Sequence, residues 1–425
     1  MQKMNLSANT ITLTVYGEDG TDYGLAWQTD TQGHPAVRWT EKDDITFRNA
    51  SEKKAVVSSG IGTYKNSAVL TGLEKGQEYL WQVGDTGTGE WSDTFSFRTL
   101  SHSGDVGFFY FADTQDVVNN GTYWKRAFLD AKEKYPGVAF CVHGGDIVHM
   151  SGMKNMWREM LDNVRDYVTA LPMIPAAGNH DWWDCYLEGY TGTFEKHFTL
   201  SYPAQNIKYG VYYSTDVGDI HFTVLNSANP IVQKDEDGKE SEQMKWLLSD
   251  LEKTDKKWKI VVLHNPLYSP GKYGCKPGTN YLALQLRENL NSVFAKYGVD
   301  MILSGHDHIY SRSYPINENG EPETDYSYTV ENVDGVMAKI ALTPGYPVNF
   351  LPGCAGNQNR LTDEAFTEEY GAFLEEKADM EWECVGYSYF SLKENTLTVS
   401  YRMISVKTGE CKIHRVFGIR KDQVT

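Results

Sequence analysis

The sequence predicts two domains in tandem: an all-β sandwich, then a larger α/β domain with a mostly parallel or mixed sheet and helices on its faces. Three observations carry this reading. The chain has 425 residues, too many for one ordinary hydrophobic core. Residues 5–99 read as short strands separated by turn residues. Beyond Thr99–Gly104 the texture changes, and short apolar runs alternate with helical patterns. The boundary is placed between residues 102 and 103, giving domains of 1–102 and 103–425.

Each element follows from a local pattern. Thr10 to Val15 alternates with period two, as a half-buried strand does. Leu25–Trp27 and Ala36–Trp39 follow at sandwich-like spacing between Asp, Thr and Gly turns. In Ala68 to Val83, a Thr71-Gly72-Leu73 turn precedes Tyr79. This stretch resembles fibronectin type III domains, with Tyr79 as the corner tyrosine and Trp27 as the core tryptophan. In the second domain, the run Val106–Ala112 is followed by Trp124, Phe128, Ala131 and Tyr135 at helical spacing, then by Val138–Val142. Together these predict a βαβ-type unit. Met156, Met160, Val164 and Val168 mark a second helix before Pro172–Ala177. Further apolar runs are Ile220–Leu225, Ile260–Leu263 and Val299–Leu303. The acidic stretch Thr362 to Glu383 is expected as a solvated helix.

Composition narrows the function. The chain is 40% hydrophobic, 13% aromatic and 23% charged, which is globular rather than disordered. Forty basic against fifty-seven acidic residues give a formal charge of −17. That sign argues against binding nucleic acid through its phosphates. It leaves small anionic substrates open if metal ions supply local positive charge. No apolar run follows Met1–Asn5, and none elsewhere approaches the ~20 residues that span a bilayer. The expectation is a soluble cytoplasmic protein, or a secreted one if a leader has been removed. No membrane or protein partner is inferred. None of the six cysteines forms a CxxC pair, and Cys141 sits inside an apolar run as a core residue would.

Five of the runs end in residues that bind metal or phosphate. Phe111-Ala-Asp113-Thr-Gln115 closes one and Gly144-Gly-Asp146-Ile-Val-His149 the next. Gly178-Asn179-His180-Asp181, His264-Asn265-Pro-Leu-Tyr268 and Gly305-His306-Asp-His308 close the others. Ligands in open α/β sheets sit just beyond the carboxyl ends of strands. A lone Gly-Asp is usually a turn, and a lone buried His is usually a hydrogen-bonded core residue. Five such endings in succession point to a metal centre instead.

This set is similar to that of the calcineurin-like metallophosphoesterases. The stretch Gly305 to Pro315 and the leading β-domain resemble purple acid phosphatases in particular. The resemblance implies a four-layer fold, two sheets flanked by helices, with two ions at one edge. It implies that Asp146 bridges them, with Asp113 and His308 on the first ion and Asn179, His264 and His306 on the second. Carboxylate, amide and imidazole ligands suit Mn, Fe, Zn or Mg. The implied reaction is hydrolysis of a phosphate monoester or diester, with metal-activated hydroxide attacking phosphorus. His180 and Asp181 are implied as the catalytic pair at the leaving oxygen. Asn265, Tyr268 and Arg312 are candidates for substrate contact, and Trp182 and Trp183 for a wall of the pocket. The loops Gly271–Gly278 and Asn349–Gln358 are candidates to roof it.

Two positions depart from the pattern. Gln115 stands where phosphodiesterase-type relatives have a ligating His, and His149 where purple acid phosphatases have a ligating Tyr. Gln115 is favoured to complete the first shell. A non-catalytic metal-binding adhesion protein on the same fold is the alternative reading.

Overall fold

The computed structural model describes residues 8–421 except 19, 61–62, 102–104, 117, 119–120, 182–193, 202–210, 228–230, 232–238, 276–280, 357–359, 362–370 and 379–382. The expected N-terminal strands form as Asn9–Tyr16, Asp22–Thr29, Pro35–Glu41, Thr63–Leu70 and Glu78–Asp85, among others. They make two facing sheets whose inner residues, Leu25, Trp27, Val37 and Trp81, are fully buried. Tyr79 turns its hydroxyl to accept the Glu74 backbone N–H at 3.1 Å. That bond ties the Thr71–Gly76 turn to the strand.

In the second domain, three parallel strands, Val106–Phe111, Phe140–His143 and Met173–Pro175, stand side by side. A second parallel set is Ile220–Leu225, Trp258–Leu263, Met301–Leu303 and Val348–Pro352. Both sets are near-continuous apolar runs because each strand is covered on both faces. Between the sheets the core is aromatic: the Phe108 ring lies 5.4 Å from Phe222, and Phe140 lies 5.7 Å from Phe222. Helix Thr122–Lys134 covers the outer face of the first sheet, with the Phe128 ring 4.5 Å from Phe111. Helices Glu242–Lys253 and Tyr281–Lys296 cover the second sheet through Met244, Leu247, Leu286 and Leu290. The result is the expected order helix, sheet, sheet, helix.

Two sequence expectations change. The second helix breaks at Val164 into Lys154–Asn163 and Arg165–Val168. Where it is described, the acidic stretch is one short 3-10 turn, Gly371–Phe373, followed by a strand. Leu374–Ala378 is a strand paired with Tyr310–Pro315, because Glu375 is drawn inward by cations.

The two domains also do more than pack. Asn9–Tyr16 pairs in parallel with Met173–Pro175, so the twelve-stranded sheet runs unbroken from one domain into the other. Side chains reinforce the seam. Gly17 N–H donates to Ser201 Oγ at 2.8 Å, Thr10 N–H donates to Asp162 Oδ1 at 3.2 Å, and Thr14 Oγ1 donates to Thr199 O.

Candidate metal centre

Parallel strands end at one edge, so the residues following them converge. Asp113 follows Val106–Phe111, Asp146 follows Phe140–His143, and Asn179 follows Met173–Pro175. His264 follows Trp258–Leu263, and His306 and His308 follow Met301–Leu303. The ligand atoms gather into two groups sharing one carboxylate: Asp113, Asp146 and His308, and Asp146, His264 and His306. Within each group the atoms lie within 4.8 Å of one another. Asp113, Asp146, His264 and His308 are all buried to within 1% exposure.

The backbone is bent to achieve this. Asp113, Asp146 and His308 each have φ of 56° and His306 has 73°. A positive φ is costly for side chains of this size and persists where surrounding structure over-determines it. Here neighbouring loops supply the restraint. Asp113 N–H donates to Gly145 O at 3.0 Å, Gln115 N–H to Asp146 O at 3.1 Å and Gly305 N–H to His264 O at 3.0 Å. Gly145, at φ 94°, leaves no room for a side chain: a Cβ would lie 2.7 Å from Gly178 N and 2.8 Å from His264 Nδ1.

His264 fixes the chemistry. Its Nδ1 is 2.8 Å from Gly144 O, and a carbonyl only accepts, so Nδ1 carries the proton. Nε2 then offers a lone pair, and it faces Asp146 Oδ2 at 3.2 Å. Two such atoms that close need a cation between them, a proton or a metal ion. His308 Nε2 similarly lies 3.3 Å from Asp113 Oδ1. Three further buried atoms have no hydrogen-bond partner: Asp113 Oδ2, Gln115 Oε1 and Asn179 Oδ1. Buried polar atoms are normally satisfied, and these are the donor atoms a pair of cations would use. Burial pushes the His306 imidazole well down, keeping it in the neutral form that ligates.

The remaining candidates separate. The Gln115 amide lies between Asp146 Oδ2 at 3.1 Å and His308 Nε2 at 3.4 Å. His149 instead stacks on His180, ring centres 4.9 Å apart. His180 donates its backbone N–H to Asp146 Oδ1 at 2.8 Å, and its Nδ1–H to His149 O at 2.7 Å. Nε2 lies 4.0 Å from Asp146 Oδ2. Asn265 is half-buried beside His264, its Oδ1 accepting from Ser227 Oγ at 2.8 Å.

Three of the expected site residues are engaged by other partners. Asp181 is fully buried, and accepts from Ile147 N–H at 2.9 Å, Val148 N–H at 3.2 Å and Gly178 N–H at 2.9 Å. With its oxygens accepting from backbone donors, it clamps two loops together, and burial, with the nearby Asp146 carboxylate, pushes its carboxyl up to about 7. Tyr268 is buried, and its hydroxyl accepts from Asn291 Nδ2 at 2.9 Å and donates to Gly320 O at 3.2 Å. It belongs to the core beneath the second sheet's helices. Arg312 is bound to Glu375 at 2.5 Å and Glu376 at 3.6 Å, over the Phe417 ring. These partners hold its guanidinium in place. Trp182 and Trp183 lie outside the described residues, as do parts of both candidate roof loops.

Sequence reasoning missed His143. Burial pushes its imidazole down to about 3, so it is neutral. Nδ1 accepts Gly145 N–H at 3.1 Å and Nε2–H donates to Thr114 Oγ1 at 3.0 Å, tying the Asp113 and Asp146 loops together. As the last residue of an apolar strand, just before Gly144-Gly145, it offered no separate signal.

A site of paired carboxylates and imidazoles at one sheet edge defines a class of metal-dependent hydrolase, and comparison with known proteins places it. Residues 79–310 match the calcineurin-like phosphoesterase family, and residues 8–99 match the purple acid phosphatase N-terminal domain. The chain belongs to the calcineurin-like phosphoesterases, metal-dependent hydrolases of phosphoric esters built around a dinuclear centre. It is 26% identical to purple acid phosphatase 21 of Arabidopsis thaliana over 265 residues, 59% of this chain and 54% of that protein. It is 24% identical to acid phosphatase type 7 of Mus musculus over 395 residues, 84% of this chain and 80% of that one. The structure of purple acid phosphatase PPD1 from yellow lupin superposes with a TM-score of 0.78 at 17% identity, covering 99% of this chain and 76% of that one.

Proposed function

We propose that this chain hydrolyses small phosphate monoesters or diesters at a dinuclear centre. Asp113, Gln115, Asp146 and His308 would hold one ion, and Asp146, Asn179, His264 and His306 the other. The observation that carries this reading is the convergence of two groups of ligand atoms, Asp113 with His308 and His264 with His306, on one shared carboxylate, Asp146. Carboxylate, amide and imidazole donors without thiolate suit Mn, Fe, Zn or Mg. Two such ions lower the pKa of bound water and neutralise charge on phosphoryl oxygens.

The chain's own residues do the rest. Asp146 is oriented by the His180 backbone N–H and His264 by the Gly144 carbonyl, so both are set before substrate arrives. The His149 carbonyl holds the His180 proton on Nδ1. Protonated also at Nε2, His180 would give a proton to the leaving oxygen. With its Oδ1 held by Ser227, Asn265 is left to offer its amide N–H groups to a phosphoryl oxygen.

The test is turnover of p-nitrophenyl phosphate and its bis-ester with added Mn²⁺. Cleavage of at least one, lost on chelation and restored by metal, is expected. If neither is cleaved while elemental analysis finds two ions per chain, the proposal fails.

A further inference from the structure

A substrate can reach the metal centre only where its residues meet solvent. Asn179, His180, Asn265 and His306 are partly exposed, whereas Asp113, Asp146, His264 and His308 are buried. Beside His306 this mouth continues as a row of rings that ends in a cation. The His306 ring lies 5.1 Å from that of His264 and 4.8 Å from that of Tyr273. The Arg360 guanidinium sits 5.3 Å from the centre of the Tyr273 ring, within range of a cation–π contact.

Arg360 is held there by the ligand loop itself. Its backbone N–H donates to His308 O at 3.3 Å, and its Nη1 donates to His306 O at 3.3 Å. Asp307 Oδ1, 4.0 Å from Nη1, steadies the charge from beyond hydrogen-bond range. Among the described residues Nε and Nη2 meet no acceptor, and 37% of the side chain is exposed. A guanidinium edge of this kind matches the paired oxygens of a carboxylate or phosphate. Lys272 Nζ lies 5.2 Å from the same Tyr273 ring. Two cations thus flank one ring beside a ligand, in a chain whose net charge is −17. A local positive field draws anions. The phosphoryl group under attack would already be neutralised by the two ions, which leaves Arg360 for a different anion.

We propose that Arg360 is a specificity-determining residue that binds a second anionic group, carboxylate or phosphate, on the organic part of the ester. This rests on the phosphoesterase reading above and names its substrate class. The test is titration calorimetry on the full-length chain loaded with Mn²⁺, which reads binding without turnover. The probes are butylphosphonate, phosphonobutyrate with its terminal carboxylate, and butane diphosphonate with its second phosphonate. The unmodified protein is expected to bind at least one of the latter two roughly 3–10-fold more tightly than butylphosphonate, the scale of a charge pair at a partly exposed site. The tighter of the two says whether the second group is a carboxylate or a phosphate. Arg360→Gln is expected to abolish the preference, and Arg360→Lys, which keeps the charge and loses the fork, to retain part of it. No preference in the unmodified protein, a preference that survives in Arg360→Gln, or loss of an ion from that variant by elemental analysis would each overturn the assignment. If the two-ion protein neither binds butylphosphonate nor cleaves p-nitrophenyl phosphate, the phosphoesterase reading falls and this inference with it. Cleavage without a preference among the probes defeats only the inference.

Discussion

The His180 side chain keeps 19% of its surface exposed, whereas its neighbour Asp181 is fully buried against three backbone N–H groups. Substitution should therefore separate them. His180→Ala is expected to lower kcat by ~10²–10⁴-fold, the range for general acid–base groups, with metal content unchanged by elemental analysis. Loss of an ion would instead make His180 a ligand. Asp181→Ala should act through stability, because it strands backbone donors that hold the Asp146 and Asn179 loops. Arg312 invites the same distinction. Removing its guanidinium leaves Glu375 with Lys339 at 2.7 Å and Tyr326 as partners. Breaking a buried pair costs about 3–5 kcal/mol, and Lys339 should keep the loss at or below the lower end. Arg312→Gln is thus expected to lower the melting temperature while KM stays constant. A raised KM with unchanged stability would return Arg312 to the substrate pocket.

At the scale of elements, the far side of the second sheet carries a charged latch. His221 in strand Ile220–Leu225 donates Nδ1–H to Asp216 at 2.7 Å and Nε2–H to Asp250 of helix Glu242–Lys253 at 3.0 Å. Burial alone would push this imidazole down, but the hydrogen bonds to Asp216 and Asp250 outweigh it and raise it to about 9 from 6.5. The folded value exceeds the unfolded one. The latch's contribution is complete below pH 6.5 and is lost as pH rises through about 9. Melting temperature should fall across that window in the unmodified protein and stay flatter in His221→Gln. Parallel pH profiles for the two proteins would remove His221 as the cause.

For the molecule as a whole, the shared sheet decides what the N-terminal domain is for. Every proposed ligand lies between Asp113 and His308, so the sandwich contributes none. Yet strand Asn9–Tyr16 covers the edge of Met173–Pro175, the strand that leads into Asn179 and His180. Deleting residues 1–102 would uncover that edge and the apolar surface behind it, and exposed edges recruit other chains. The truncated protein is expected to melt lower and to associate, as read by calorimetry and light scattering. A monomeric truncation with two ions and the parent melting temperature would show that the seam is dispensable.

The sequence by itself determined the principal strands, their order and most of the candidate ligand set. A buried parallel strand must be a short apolar run, and a ligand at its end needs a glycine-assisted turn, so Gly144-Gly145-Asp146 and Gly305-His306 were legible as pairs of run and ending. It could not separate Asp181 from His180, or see that Tyr268 and Arg312 were engaged elsewhere, since their partners lie 23 or more residues away: Asn291 for Tyr268, Glu375 for Arg312. Nor did it place His143, whose sequence setting reads as plain core. Only the tertiary structure decided these, because a side chain's role is set by which donors and acceptors reach it. The continuous sheet was hidden for the same reason. A strand's pattern records which face is buried, while its edge partner is chosen by backbone hydrogen bonds that carry no side-chain signature.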